Sequence, residues 1–455
     1  MKRKLIFIQG LVWATVAIML ISAPAPAAVF NPESFTLKNG MQVIVVNNPR
    51  APVVTQMVWY KVGAADEGPG ETGIAHLLEH LMFKGTKAFP DGSFSKTLAR
   101  NGGQENAFTS YDYTAYFQTV ARDRLEMVMK MEADRMTGLV LEDKQIASEI
   151  KVVLEERRSR VDNNPSTILR EQMSAALYLN YPYRRPVIGW HKEVAALKRD
   201  RIIRFYKRWY APDNAILVVT GDITKQQLKP LAEKYYGVIP PSKNIRRDRP
   251  QEPQQKAERT VTIKDARVRQ PSWQRVYLVP DNIVHDRTSS LSLEILSNIF
   301  GGGATSRLYK SMVIEQKLAL SAGSFYGGDD VGPGKFGVYA SPKPGVTMDQ
   351  IQNAINLEIT KIIDSIDDGD VAQARERMQA QAIYARDSAS AAANVLGQAL
   401  ATGHSIDDVE NWPEDLAKIT ASDVKQAARK IFKINRSVTG LLLSEKPAAK
   451  DSTND

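Results

Sequence analysis

The sequence predicts a mixed α/β or α+β protein built from two halves of similar size. Three observations carry this. Strand-like and helix-like periodicities alternate irregularly along the 455 residues. A polar stretch at 246–259, RRDRPQEPQQKAER, has Ala257 as its one apolar residue and reads as a linker. Beyond it the order starts afresh, with strand-like VTIKD and VRQPSWQRVYLVP followed by helical SLSLEILSNIF.

Taken in order, Lys2, Arg3 and Lys4 precede an uncharged stretch from Leu5 to Ser22, and Ala25-Pro26-Ala27 follows. Basic, apolar and small residues in that order form a secretory signal, with cleavage expected near Ala27 or Ala28. The alternative is a retained membrane anchor, since 18 apolar-stretch residues just suffice to span a bilayer. In FTLKNGMQVIVVNN, Asn39-Gly40 between apolar runs signals a hairpin. Val53–Val62 is a second strand, Gly73–Met82 a helix and Thr114–Val120 a strand. Residues 122–161 keep a helical period with no proline, and Ala215–Thr220 is a continuous apolar run of the kind found in buried strands. The expected domains are a signal at 1–28, an N-terminal metal-binding half at 29–245, a linker at 246–259, a C-terminal half at 260–446 and a disordered tail at 447–455.

Composition narrows the chemistry. Hydrophobic residues make up 43% and charged residues 24%, which excludes a disordered or collagen-like chain and a multi-span membrane protein. There is no cysteine, so disulfides, thiolate metal sites and cysteine nucleophiles are excluded. A cysteine-free exported chain suits a bacterial periplasm. The net charge of +9 includes Lys2, Arg3 and Lys4. No run of five like charges and no basic stretch with interleaved aromatics occurs, so nucleic acid is not an expected partner.

Two of the five histidines fall in one pentapeptide, His76-Leu77-Leu78-Glu79-His80. On a helix, residues four apart share a face, so both imidazoles can hold one metal ion. Glu79, on the edge of that face, can act as a general base towards a metal-bound water. This is the inverted H-x-x-E-H order of the zinc helix. A catalytic zinc needs a third protein ligand, and here it must be a carboxylate or another His. IASEIKVVLEERR at 146–158 offers Glu149 and Glu156 two turns apart on one face, with Glu155 about 100° round the helix from Glu156. Ile150, Val153 and Leu154 give that helix an apolar stripe. Spacing alone leaves open whether these glutamates are ligands or a solvated face.

GIAHLLEHLMFKGT followed by EIKVVLEERR resembles the pitrilysin/insulinase family of zinc peptidases, in particular the mitochondrial-processing-peptidase-like bacterial branch. NGGQENAFTSYDYTAY, YAPDNAILVVTGD and FGGGATSRLY add to the likeness, which covers residues 33–445. The resemblance implies two homologous α+β halves, each a mixed sheet with helices packed on it, together forming half of a clamshell chamber. It implies one zinc ion per chain, ligated by His76, His80 and Glu156, with Glu79 as general base and Glu149 behind the ligands. It also implies that Asn106, Ala107, Phe108 and Thr109 pair with an extended peptide substrate. The function expected is zinc endopeptidase action on extended or unfolded peptides. The alternative is a non-catalytic scaffold that keeps the fold.

One departure stands out. Active full-length relatives carry an Arg and a Tyr after the SRL segment, and these stabilise the substrate carbonyl. Counted from Ser306-Arg307-Leu308, those positions hold Val313 and Leu320, neither of which donates a hydrogen bond. A homologous partner subunit is therefore expected to supply the Arg and Tyr, unless Tyr326 or Arg307 substitutes. No membrane association is expected unless the N-terminal segment is retained.

Overall fold

The computed structural model describes residues 29–445 apart from 243–244, 386–387 and 389. The signal at 1–28 and the tail at 447–455 lie outside these residues.

Two mixed sheets organise the chain. The first contains β1 (Glu33–Thr36), β2 (Gln42–Asn47), β3 (Val53–Tyr60), β4 (Gln104–Thr109), β5 (Thr114–Ala121) and β6 (Ala215–Gly221), in the order β1-β2-β6-β3-β5-β4. The second contains β7 (Arg259–Asp265), β8 (Ser272–Val279), β9 (Ala319–Gly327), β10 (Gly334–Pro342) and β11 (Ser437–Ser444), in the order β7-β11-β8-β10-β9. Apart from β1, the orders are the same. The last strand of each sheet, β6 or β11, inserts parallel to the opening strand and antiparallel to the next. The protein is α+β and consists of two homologous halves.

Local sequence explains the strands. β6 is buried at every position, as its unbroken apolar run requires of a central strand. The hairpin forms at Asn39-Gly40, where Gly40 takes φ +91° and Asn39 Nδ2 donates to the carbonyls of Tyr236 and Ile239 at 2.8 and 2.9 Å. The helical period over 122–161 divides into two helices, Leu125–Gly138 and Asp143–Arg157. Leu139 leaves the helix because it bridges antiparallel to Thr86, and Glu142 starts the second helix in a capping box with Gln145. Among the described residues no helix is long and apolar enough to cross a membrane.

Each half lends a helix to the other's sheet. The Pro165–Leu177 helix of the first half buries Leu169, Met173 and Leu177 against Val438 and Leu442 of β11. The Ala391–Ala401 helix of the second half buries Ala392, Ala393, Leu396 and Leu400 against Ile44, Met57, Trp59, Ile216 and Val218 of the first sheet. Glycine sets the closeness at both contacts. A Cβ on Gly397 would lie 2.1 Å from Trp59 Nε1, and one on Gly440 would lie 2.2 Å from Met173 Sδ. The segment 246–258 has no regular secondary structure but is fastened down. Arg247 and Arg249 pair with Asp66, and Glu252 accepts from the N–H groups of Leu179, Asn180 and Tyr181.

The contact at Gly397 is testable by a single methyl group. In an exposed helix Gly→Ala gains about 1 kcal/mol of propensity. Overpacking a tight core costs about 1–3 kcal/mol. Gly397→Ala is expected to lower the urea midpoint and shift the emission of Trp59; a raised midpoint would show that the two halves are not held this closely.

Candidate metal centre

The helix Ile74–Leu81 is fixed at its N-terminus before it presents any chemistry. Gly73 precedes it at φ +86°, where a Cβ would lie 2.7 Å from Val194 and 2.8 Å from the Ile188 carbonyl. The buried carboxylate of Glu67 accepts the N–H groups of Gly73 at 3.1 Å and Ala75 at 3.0 Å. It thereby meets two of the donors that a helix start leaves unpaired. Ile74, Leu77, Leu78 and Leu81 are fully buried, which turns His76, Glu79 and His80 towards an open cleft of about 740 Å³.

The Asp143–Arg157 helix runs beside it. Ile146 and Val153 are buried on it, and Glu149 and Glu156 face the histidines. One ligand atom each from His76, His80 and Glu156 lies within 4.8 Å of the other two. His80 Nε2 is 3.3 Å from Glu156 Oε2, and His76 Nε2 is 3.8 Å from Glu156 Oε1. Atoms bound at about 2 Å to one tetrahedral ion sit about 3.3 Å apart; the His80–Glu156 spacing meets this and the wider ones need a small inward closure, so the donor set fits a zinc ion. Glu155 lies apart: its side chain is 60% exposed and paired with Arg158, whereas that of Glu156 is 14% exposed.

The surrounding groups set protonation. His80 Nδ1 is 3.0 Å from Glu149 Oε1, which holds the proton on Nδ1 and leaves Nε2 for a metal. Lys84 pairs with the other oxygen of Glu149. Burial, reinforced by the neighbouring charge of His80, lowers His76 to about 4 and keeps it neutral. Burial opposes charge on His80 too, but hydrogen bonds to Glu149 and Glu156 outweigh it and raise His80 to about 9. The hydrogen bond to His80 lowers Glu156, whereas burial raises Glu79. Glu79 Oε2 accepts the Thr109 hydroxyl at 2.6 Å, which ties the glutamate to β4. β4 is an edge strand of its sheet, opposite β1, and Asn106, Ala107, Phe108 and Thr109 line the cleft.

Sequence reasoning did not single out three groups here. Lys84 stands four residues after His80, and Arg160, whose Nη1 is 2.6 Å from Glu156 Oε1, stands four after that glutamate. Both have helical spacing as a local signal. Glu67 has none, because its contact depends on how the chain folds back before the helix. In the second half, Val313 packs against the core and Leu320 is exposed on β9. Neither lines the cleft. Arg307 is engaged by Ser365 and Asp370, and Tyr326 Oη lies 3.1 Å from Ser290 Oγ.

The metal-free centre makes a pH prediction. A His80 value of about 9, above the usual 6.5, contributes stability that is full below 6.5 and is lost as pH rises through about 9. Metal-free protein is therefore expected to lose stability between neutral pH and pH values above 9, and His80→Gln to lose that dependence. Metal uptake at neutral pH should release the His80 proton, readable by calorimetry in buffers of different ionisation enthalpy. Uptake without proton release would contradict the arrangement.

Comparison with known proteins agrees with this geometry. Residues 42–190 match the family profile described as Insulinase (Peptidase family M16), and residues 196–378 match that of the Peptidase M16 inactive domain. The chain is 30% identical over 418 residues to the zinc protease PqqE of Helicobacter pylori, covering 90% of this chain and 92% of the relative. It is 26% identical over 403 residues to an uncharacterized zinc protease of Streptomyces coelicolor, covering 87% and 86%. The crystal structure of a protease from Helicobacter pylori superposes with a TM-score of 0.84 at 30% identity, over 90% of this chain and 99% of that one. The periplasmic protease PqqL of Escherichia coli shares the fold, with a TM-score of 0.78 at 20% identity, over 92% of this chain but 49% of its own.

Proposed function

The chain belongs to the insulinase family of peptidases, M16, and from that premise we propose that it is a zinc metalloendopeptidase acting on extended or unfolded peptides. The observation that carries this is the convergence of His76, His80 and Glu156 within 4.8 Å, with Glu79 beside them and the edge strand β4 along the same cleft. Zinc, one ion per chain, would be held by those three side chains; when bound it polarises the scissile carbonyl and lowers the pKa of water.

The chain's own residues do the rest. An extended peptide adds to the free edge of β4 along Asn106, Ala107, Phe108 and Thr109, through main-chain hydrogen bonds that do not depend on sequence. Glu79 takes a proton from the attacking water as its oxygen bonds to the carbonyl carbon. It returns the proton to the amine as the C–N bond breaks. Burial raises Glu79 towards the range where it can both accept and give up that proton, and Thr109 holds it in place. Glu149 acts through His80, fixing its tautomer and orientation.

The carbonyl oxygen still needs a donor. The cleft's cations, Lys84 and Arg160, are paired with Glu149 and Glu156, and Val313 and Leu320 stand where an Arg and a Tyr are expected. We therefore assign this chain the metal-bearing half of a heterodimer, whose homologous partner brings the Arg and Tyr across a chamber. The chain's span of about half of PqqL supports a working unit of two such chains. We further propose domains at 29–245 and 260–446 joined by 246–259. Export to the periplasm with removal of residues 1–28 rests on the signal pattern and on the likeness to the periplasmic protease PqqL. The rival reading, a scaffold without catalysis, draws on the match of residues 196–378 to an inactive domain, but that match leaves the metal-bearing half untouched.

Glu79→Gln is expected to retain zinc and lose a factor of about 10²–10⁴ or more in peptide turnover. Loss of zinc in this variant would make Glu79 a ligand, and unchanged turnover would remove its role. Purified, zinc-loaded, monodisperse chain should cleave an unstructured peptide poorly, since one missing oxyanion donor costs about 10²–10³ in rate. Addition of the partner should restore turnover. Vigorous hydrolysis by the lone chain, unchanged by the partner, would contradict the division of labour.

A further inference from the structure

The residues just ahead of β1 are tied to the other half of the protein. The N–H of Phe30 donates to both carboxylate oxygens of Glu410, at 2.9 and 3.2 Å, and the N–H of Asn31 donates to Oε2 at 3.1 Å. Glu410 ends the Ile406–Glu410 helix of the second half. Val29 and Phe30 line a cavity of about 350 Å³ together with Glu294, Asp329, Asp408 and His404.

Two carboxylates of this cavity have oxygens that no described group donates to, although the Gln398 amide also lines it. Glu294 Oε2 accepts the Trp412 Nε1–H at 3.1 Å, but no described group donates to Oε1. Asp329, exposed at the rim, likewise receives no hydrogen bond from the described residues, and His404 Nε2 is buried without a partner. Arg287, the one described cation on the lining, is engaged by Asp415 and the Asp408 carbonyl. The Asp408 carboxylate is occupied by Ser405. Burial, with Asp329 adding to it, pushes Glu294 up to about 7. The Trp412 hydrogen bond and Arg287 oppose that rise without cancelling it, and a half-buried carboxylate held this way is stabilised by a further cation that reaches it.

The sequence supplies that cation. Ala25-Pro26-Ala27 ends the export segment, and cutting after Ala27 or Ala28 frees an α-ammonium group on Ala28 or Val29. We propose that the cavity is the receptor for this ammonium group, with Glu294 and Asp329 as its counter-charges. The processed N-terminus is then a clasp between the first sheet, through β1, and the second half, through Glu410 and Glu294. An unprocessed chain has an uncharged amide at the same point and lacks the ionic part of the clasp. The inference rests on the export reading above, yet the receptor can be measured without it.

The test uses the full mature chain beginning at Ala28 or at Val29, each with a free and with an acetylated N-terminus. At least one free form should melt a few degrees above its acetylated twin, and the difference should vanish in Glu294→Gln. In that free form the α-amine should react with an acylating reagent at neutral pH about tenfold more slowly than in Glu294→Gln, as one unit of pKa implies. Equal midpoints for both pairs, or a difference that persists in Glu294→Gln, would overturn the receptor. Because acetylation changes no side chain, a poorly folding variant does not decide the result. The mass of the N-terminal peptide from the exporting cell tests processing separately: an intact residue 1–28 segment would overturn the export reading and leave the receptor result standing.

Discussion

Two imidazoles on successive turns of one helix cannot by themselves make a metal site. The third ligand has to arrive from another element, and in the proposed site Glu156 of the 143–157 helix meets that requirement. Glu67 and Gly73 fix the start of the 74–81 helix, its leucines anchor it in the core, and the 143–157 helix lies alongside so that Glu156 reaches both histidines. The break at 139–142 makes this possible. A continuous helix from 125 to 157 would carry Glu156 past the histidines, whereas the bridge from Leu139 to Thr86 turns the chain beside the segment that follows them. Three negative side chains and two neutral or protonated imidazoles then share a small volume. Lys84, Arg160 and a protonated His80 offset those charges in the metal-free protein, and a divalent cation bound there would take the place of the His80 proton.

The second half contributes to this site indirectly. Its helix at 391–401 covers the face of the first sheet that includes β3 and β6, and the first half returns the arrangement with its helix at 165–177 on β11. Each sheet therefore completes its burial only when the other half is in place. The 143–157 helix continues into a π-helical stretch at 158–162 and the 165–177 helix follows two residues later, so the candidate metal centre and the junction between halves are mechanically continuous. The ion pairs of Arg247 and Arg249 with Asp66 anchor the connecting segment beside the turn that leads to Glu67. Rigid support of this kind is what a site needs if it is to hold ligands and base in register.

How much of this could be read from the sequence depended on how local each feature is. His76, Glu79 and His80 were legible because one helix turn places them together, whatever surrounds it. The hairpin at Asn39-Gly40 and the buried strand β6 were legible for the same reason. Glu156 was harder, because Glu149, Glu155 and Glu156 all stand on one helix; only packing, which buries Val153 and exposes Glu155, separates them. The helix break was not read from the sequence: Gly138 is a weak local stop signal, but Leu139 is apolar and continues the period, and the tertiary bridge to Thr86 accompanies the exit. Nor was the exchange of helices: an apolar stripe shows that a face is covered, not which sheet covers it. The order β7-β11-β8-β10-β9 repeats that of the first sheet with no residue-level repeat to announce it, because the same burial pattern is met by different side chains.

The most direct measurement is zinc-edge anomalous scattering from crystals of the zinc-loaded chain. One strong peak is expected, within bonding distance of His76, His80 and Glu156, with Glu79 beside it but not bonded and Glu155 turned away towards Arg158. A peak bonded to Glu155 in place of Glu156, a zinc ion elsewhere in the molecule, or none at this cluster would contradict the account.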